Sequence, residues 1–293
     1  MRPGGHPINN EPVIRRPHGL AFAALLACAA AAGAQEPPLP DAGAFLHDAL
    51  ARLRSNDLVR SQYTFTDTET RYSYGVSGSV TKKQVRVYEV DPSPDPELTY
   101  RRLVSVNGVP PPDLAEKDAE HQRKVQEWIA RRKREGEDDR AARLRRAAED
   151  EARERAVVQE LTSIYDIQMT GRDTIDGRPA IGFTFDPRPG YQPRTLEGRI
   201  ISHFRGLAWI DEQDRELVRL RAEALKNVSV KFGFIVRLLK GSQGHMERRK
   251  IDGDTWLPTY SRFTGSGRVF LVARIDLDQE NLYSSYRRKE PGP

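Results

Sequence analysis

GHMERRKIDGDTWLPTYSRF, residues 244–263, decides the fold. Gly244 to Ile251 and Thr255 to Phe263 read as strands on either side of Asp252-Gly253, a dipeptide favoured where one strand turns back on another. Downstream, Arg268 to Asp276 and Leu282 to Arg288 read as two more strands, with Gly265-Ser-Gly267 and Leu277-Asp-Gln-Glu-Asn281 as turn-like connections. Upstream, Asp166 to Asp173 and Arg178 to Phe185 flank Asp176-Gly177, with Ile181, Phe183 and Phe185 on one face. Leu207 to Asp211 and Leu217 to Ala224 bracket a polar turn. Nearer the N-terminus, Tyr63–Thr66, Val85–Val90, Leu98–Tyr100 and Leu103–Val106 are separated by Gly75, Gly78 and the Asp91–Pro96 stretch. This punctuation predicts a mainly β, α+β domain with one antiparallel sheet of about 10–11 strands. A sheet that large must curl.

Two short helices accompany the sheet. Asp41 reads as the N-cap of a helix from Ala42 to Arg54, with Phe45, Leu46, Leu50 and Leu53 at helical spacing. Thr195 to Phe204 carries Leu196, Ile200, Ile201 and Phe204. Between the sheet sections, residues 110–160 form an insertion. From Asp113 to Glu160 it is dominated by Arg, Lys, Glu, Asp and Ala, interrupted only by Gly136. Mixed charges at i, i+4 spacing predict a solvated helix or helical hairpin. Arg131-Arg-Lys-Arg134 lies beside acidic runs, and the expectation is a solvated face rather than a nucleic-acid patch.

Residues 1–34 read as a secretory signal peptide: Arg2, Arg15 and Arg16 precede a run from Leu20 to Ala34, and Gln35-Glu-Pro-Pro38 follows. Fifteen residues at ~1.5 Å each reach about 22 Å, short of a ~30 Å hydrocarbon core. Cys28, the only cysteine, lies inside this leader. Two processing readings stand. Cleavage after Ala34 releases a periplasmic chain beginning at Gln35. Alternatively, Leu25-Leu-Ala-Cys28 resembles a lipobox, and Cys28 becomes the lipidated first residue of an outer-membrane lipoprotein. Residues 35–40 then serve as a tether and 41–293 as one domain, without a disulfide. Export excludes most nucleotide chemistry and nucleic-acid binding, although the net charge is +5.

No catalytic signature accompanies this pattern. His47, His121, His203 and His245 fall on different elements without paired spacing, so no metal site is expected. Asp211-Glu-Gln-Asp214 lacks calcium-loop spacing, and G-x-S-x-G and phosphate-loop motifs are absent. Neither an enzyme nor a cofactor is expected.

The order of a helix, a long antiparallel meander, Ala208-Trp-Ile-Asp211, a polar turn and Glu216-Leu-Val-Arg-Leu220 resembles the LolA/LolB-like group. These are periplasmic lipoprotein carriers and their relatives, among them the sensor RseB. Asp252-Gly-Asp-Thr-Trp-Leu-Pro-Thr259 is similar to a turn, aromatic and Leu-Pro strand start that recurs there. The resemblance covers Asp41 to Arg288 except the charged insertion. It implies an unclosed barrel of about eleven strands with helices on the concave side, holding acyl chains in an apolar hollow.

A lipid, lipoprotein acyl chain or other apolar ligand is therefore the expected partner. Candidate cavity residues are Phe65, Val87, Phe183, Trp209, Phe232, Phe234, Leu238 and Trp256. Val228 to Leu239 is the least polar stretch and breaks strict strand alternation, as a buried segment or a cavity flap would. The same side chains also suit a filled core. In that reading the chain is an envelope scaffold or sensor that docks a protein partner through its charged insertion.

Overall fold

The computed structural model describes residues 37–53, 59–75, 77–231, 235–269 and 273–290. Its elements fall in the unit Leu39–Pro293. Helix α1 (Ala42–Leu53) begins where Asp41 Oδ1 accepts the Ala44 N–H at 2.8 Å. Strands β1 (Tyr63–Tyr74), β2 (Val80–Asp91) and β3 (Tyr100–Val106) precede helices α2 (Leu114–Lys133) and α3 (Glu137–Ile164). There follow β4 (Tyr165–Ile175), β5 (Arg178–Pro187), α4 (Leu196–Ile201), β6 (Phe204–Asp211), β7 (Leu217–Ala224), β8 (Val228–Lys231), β9 (Ile235–Leu238), β10 (Gln243–Asp252), β11 (Thr255–Val269) and β12 (Ala273–Arg288).

Ten strands lie in the order β3-β2-β1-β12-β11-β10-β7-β6-β5-β4, an open antiparallel path that does not close into a barrel. The β8–β9 hairpin attaches to β11 beyond the end of β10. Register matters here because alternate residues face opposite sides of a sheet. Phe183, Ala208, Leu220, Met246, Ser261, Asn281 and Glu69 form one cross-strand row from β5 to β1. Phe185, Gly206, Ala222, Gly244, Phe263, Gln279 and Arg71 form a second row on the same face. α1 lies on this face, with Phe45 and Ala49 packed against Ile181, Phe183 and Ile210.

Where the rows cross β6, the backbones nearly touch. A Cβ on Gly206 would lie 1.9 Å from the Arg221 carbonyl oxygen, so only glycine fits. The Asp176-Gly177 turn has φ of 50° and 78°, the left-handed pair that a two-residue hairpin needs.

Three expectations are corrected. Gly265-Ser-Gly267 and Leu277–Asn281 are not connections: β11 and β12 run straight through them. The glycine serves close approach, since a Cβ on Gly265 would lie 2.4 Å from Ser242 Oγ. The polar run is paired within the sheet, where Asp278 takes Arg262 Nε and Nη2 at 3.0 and 2.9 Å. Phe204 does not end the short helix; it starts β6 opposite Ala224.

The charged insertion is two helices divided near Gly136, the N-cap of α3. Its first helix is docked. Asp118 accepts Arg102 Nε and Nη2 at 2.8 Å each and Tyr100 Oη at 2.7 Å, while Tyr100 stacks on His121 at 4.0 Å. These hydrogen bonds hold the Asp118 carboxyl down to about 2. α2 thereby flanks β3, an end strand of the sheet path that would otherwise be open to foreign pairing. α3 is solvated through most of its length and buries Glu160 and Ile164 in its last turns.

Candidate functional site

An apolar cavity of about 310 Å³ lies on the α1-bearing face. Leu46, Ala49 and Leu50 come from α1, Leu161 from α3 and Ile201 from α4. The sheet contributes Tyr165 and Ile167 (β4), Phe183 and Phe185 (β5), Phe204, Ala208 and Ile210 (β6), and Leu217, Leu220 and Ala222 (β7). The volume falls at the lower end of the about 300–1,000 Å³ range of small-molecule sites. No charged side chain among the described residues lines it. Among the described residues, Tyr165 Oη is the one polar side-chain group in the lining, and it donates to the Ile201 carbonyl oxygen at 2.5 Å. Burial raises the Tyr165 phenol well above its ordinary value, so it stays neutral. Phe183 is backed by Phe45, whose ring stacks on it at 5.9 Å while the Arg215 guanidinium sits 4.3 Å from the Phe45 centroid.

Buried charges stand outside this cavity and are paired. Asp211, fully buried, accepts Arg178 Nε and Nη2 at 2.6 and 2.9 Å and the Gln213 and Asp214 amides. Asp214 in turn accepts from Arg178, Lys250 and the Trp256 indole at 3.0, 3.0 and 3.1 Å. Glu160 accepts Tyr191 Oη, the Arg194 and Thr195 amides and Thr195 Oγ1, tying α3 to the start of α4. Burial alone would raise the Glu160 carboxyl; those hydrogen bonds outweigh it and hold the group below its ordinary range. These arrangements fasten loops. The cavity offers burial and no nucleophile or acid–base pair.

The residues singled out from sequence are dispersed. Phe183 lines the cavity. Phe65 packs in a separate cluster with Tyr88 and Val90, and half-buried Val87 faces the side opposite to Tyr88. Trp209 also lies on the other face, across from Gly182 and Arg219, with the Arg219 and Arg221 guanidinium groups 5.8 and 5.7 Å from its ring. Trp256 is buried with Ile175, Ala180 and Val218. Leu238 sits in β9 between Val228 and Gly267. Phe232, Phe234, Cys28 and the leader lie outside the described residues. Most of the lining, including Tyr165, Phe204, Ala208 and Leu220, was not anticipated. The alternation of Phe183 and Phe185 was the available signal, extended across strands by register.

No family model and no curated protein matches the sequence. Among solved structures, the chain is similar to a DUF1329 family protein from Desulfovibrio piger (14% identity, 84% of this chain and 92% of that one, TM-score 0.28). It is also similar to a putative outer membrane lipoprotein-sorting protein domain from Vibrio parahaemolyticus (8% identity, 83% and 91%, TM-score 0.29). A third is MucB in complex with periplasmic MucA (12% identity, 86% and 100%, TM-score 0.23).

Proposed function

We propose that this chain is an exported, non-catalytic binding protein that takes up an acyl chain or comparable apolar ligand between α1 and β4–β7. The supporting observation is the cavity: about 310 Å³, without a charged side chain among the described residues of its lining. Burial of the chain supplies the driving force, about 0.8 kcal/mol per methylene. The test is titration of the purified domain with a fluorescent fatty acid. Saturable binding that palmitate displaces supports the reading, and absence of binding refutes it.

A second reading, docking of an envelope protein, draws on α3. Residues 144–155 of that helix are exposed throughout, Leu144 included. Substituting Leu144 and Arg146 separates the two: lost partner capture with unchanged fatty-acid binding favours docking.

A further inference from the structure

The face that carries the cavity changes character along its rows, from apolar at β5–β7 through Ser261, Asn281 and Gln279 to charged at β1. There, Glu69 gathers three guanidinium groups. Arg71 Nε lies 2.8 Å from Glu69 Oε1, Arg86 Nη1 3.8 Å from the same oxygen, and Arg101 Nη2 3.0 Å from Oε2. Arg101 also donates from Nε and Nη2 to Asp67 Oδ2 at 3.2 and 2.8 Å, and lies 3.4 Å from the Tyr88 ring centroid. Asn281 Nδ2 donates to Asp67 Oδ1 at 2.8 Å. The two carboxylates are buried, whereas the Arg71, Arg86 and Arg101 side chains are 47%, 30% and 39% exposed. Acids lie underneath and cations on top.

Three cations over two anions leave one positive charge in excess. Arg71 approaches Glu69 Oε1 through Nε at 2.8 Å, and its side chain, which ends in the guanidinium fork, is 47% exposed. That fork matches a phosphate group bidentately. Glu69 shares its row with Phe183 and Leu220, and Arg71 shares its row with Phe185 and Ala222. Four strand steps separate β1 from β7, about 19 Å at about 4.8 Å per step. One bilayer leaflet, half of a ~30 Å hydrocarbon core, spans about 15 Å.

We propose that Arg71, Arg86 and Arg101 seat the phosphate of an anionic lipid whose acyl chain fills the cavity. This rests on the apolar-binding reading above and adds the chemical class of the headgroup.

Two probes with one C16 chain test it: lysophosphatidylglycerol and the neutral monoacylglycerol, each titrated into the intact domain. Glycerol 3-phosphate alone is the third arm. The wild type is expected to prefer the phosphate lipid by about tenfold or more, as charge-assisted hydrogen bonds imply. Arg71→Gln/Arg86→Gln abolishes that preference and leaves monoacylglycerol affinity unchanged. Arg71→Lys/Arg86→Lys, which keeps the charge over Glu69, loses part of it and serves if the first variant fails to fold. Equal affinity for both lipids in the wild type, or a preference that survives Arg71→Gln/Arg86→Gln, overturns the headgroup seat while the cavity reading stands. Glycerol 3-phosphate binding as tightly as the lipid overturns it in favour of free phosphate esters. Failure of both lipids to bind removes both proposals.

Discussion

Ala208→Leu is expected to fill the cavity from its floor. Ala208 lies on β6 between Phe183 and Leu220 in the row beneath α1, and its methyl faces the hollow. Leucine adds three carbons where the lining is wholly apolar. Their burial contributes about 2.4 kcal/mol at about 0.8 per methylene, set against overpacking of roughly 1–3 kcal/mol. Net stability is therefore expected to change by no more than about 1.5 kcal/mol. The bound chain loses the same three methylenes' worth of space, about 2.4 kcal/mol, or roughly 50-fold in Kd. Displacement of a fluorescent fatty acid reads the affinity, and thermal unfolding reads the stability. Weaker binding with an unchanged Tm is the expected pair. Unchanged binding in a folded variant refutes the location of the ligand.

Five further outcomes follow from the buried polar contacts, the close approaches and the titrating groups. Arg178→Met strands the buried Asp211 carboxylate and should cost about 3–5 kcal/mol in chemical denaturation. Glu160→Ala removes the acceptor of four hydrogen bonds between α3 and α4; a loss of about 2–4 kcal/mol is expected, with proteolysis near residues 191–195 as a local readout. Gly206→Ala forces β6 and β7 apart and should destabilise by at least about 1–3 kcal/mol, measured by the urea midpoint. Acidification should weaken the fold. At Asp95, Asp214 and Asp278 burial opposes ionisation, but hydrogen bonds from Trp128, from Lys250 and from Arg262 outweigh it and hold each carboxyl low. Their folded values lie below the unfolded ~3.9, so this stability is complete above about pH 5 and is lost as pH falls through the folded values. Burial also lowers the His245 imidazole, with Glu247 opposing and Arg221 and Arg219 assisting. The unfolded chain then takes up that proton first, near ~6.5. His245→Gln should flatten the stability slope between about pH 7 and 5.

The hairpins were legible because turn chemistry is local: Asp176-Gly177 and Asp252-Gly253 announce themselves in two residues. α1 was legible from its cap and apolar spacing. Gly265–Gly267 misled because glycine marks both turns and close approaches, and Ser242, the group it approaches, is remote in sequence. Leu277–Asn281 misled because its polar residues find Arg262 and Asp67 across strands. The cavity was hidden for a related reason. Its lining gathers side chains from α1, α3, α4 and β4–β7, and no local pattern carries where the three helices come to lie against those strands. Trp209 shows how narrow the margin is: one residue from Ala208 and one from Ile210, it belongs to the opposite face.

Native mass spectrometry of the protein purified from its own envelope fraction tests the central claim most directly. The account predicts a mass above that of the polypeptide, with the excess lost on organic extraction and recovered as an acyl-bearing lipid. A bare polypeptide mass under the same gentle conditions, unchanged after incubation with lipid, contradicts it.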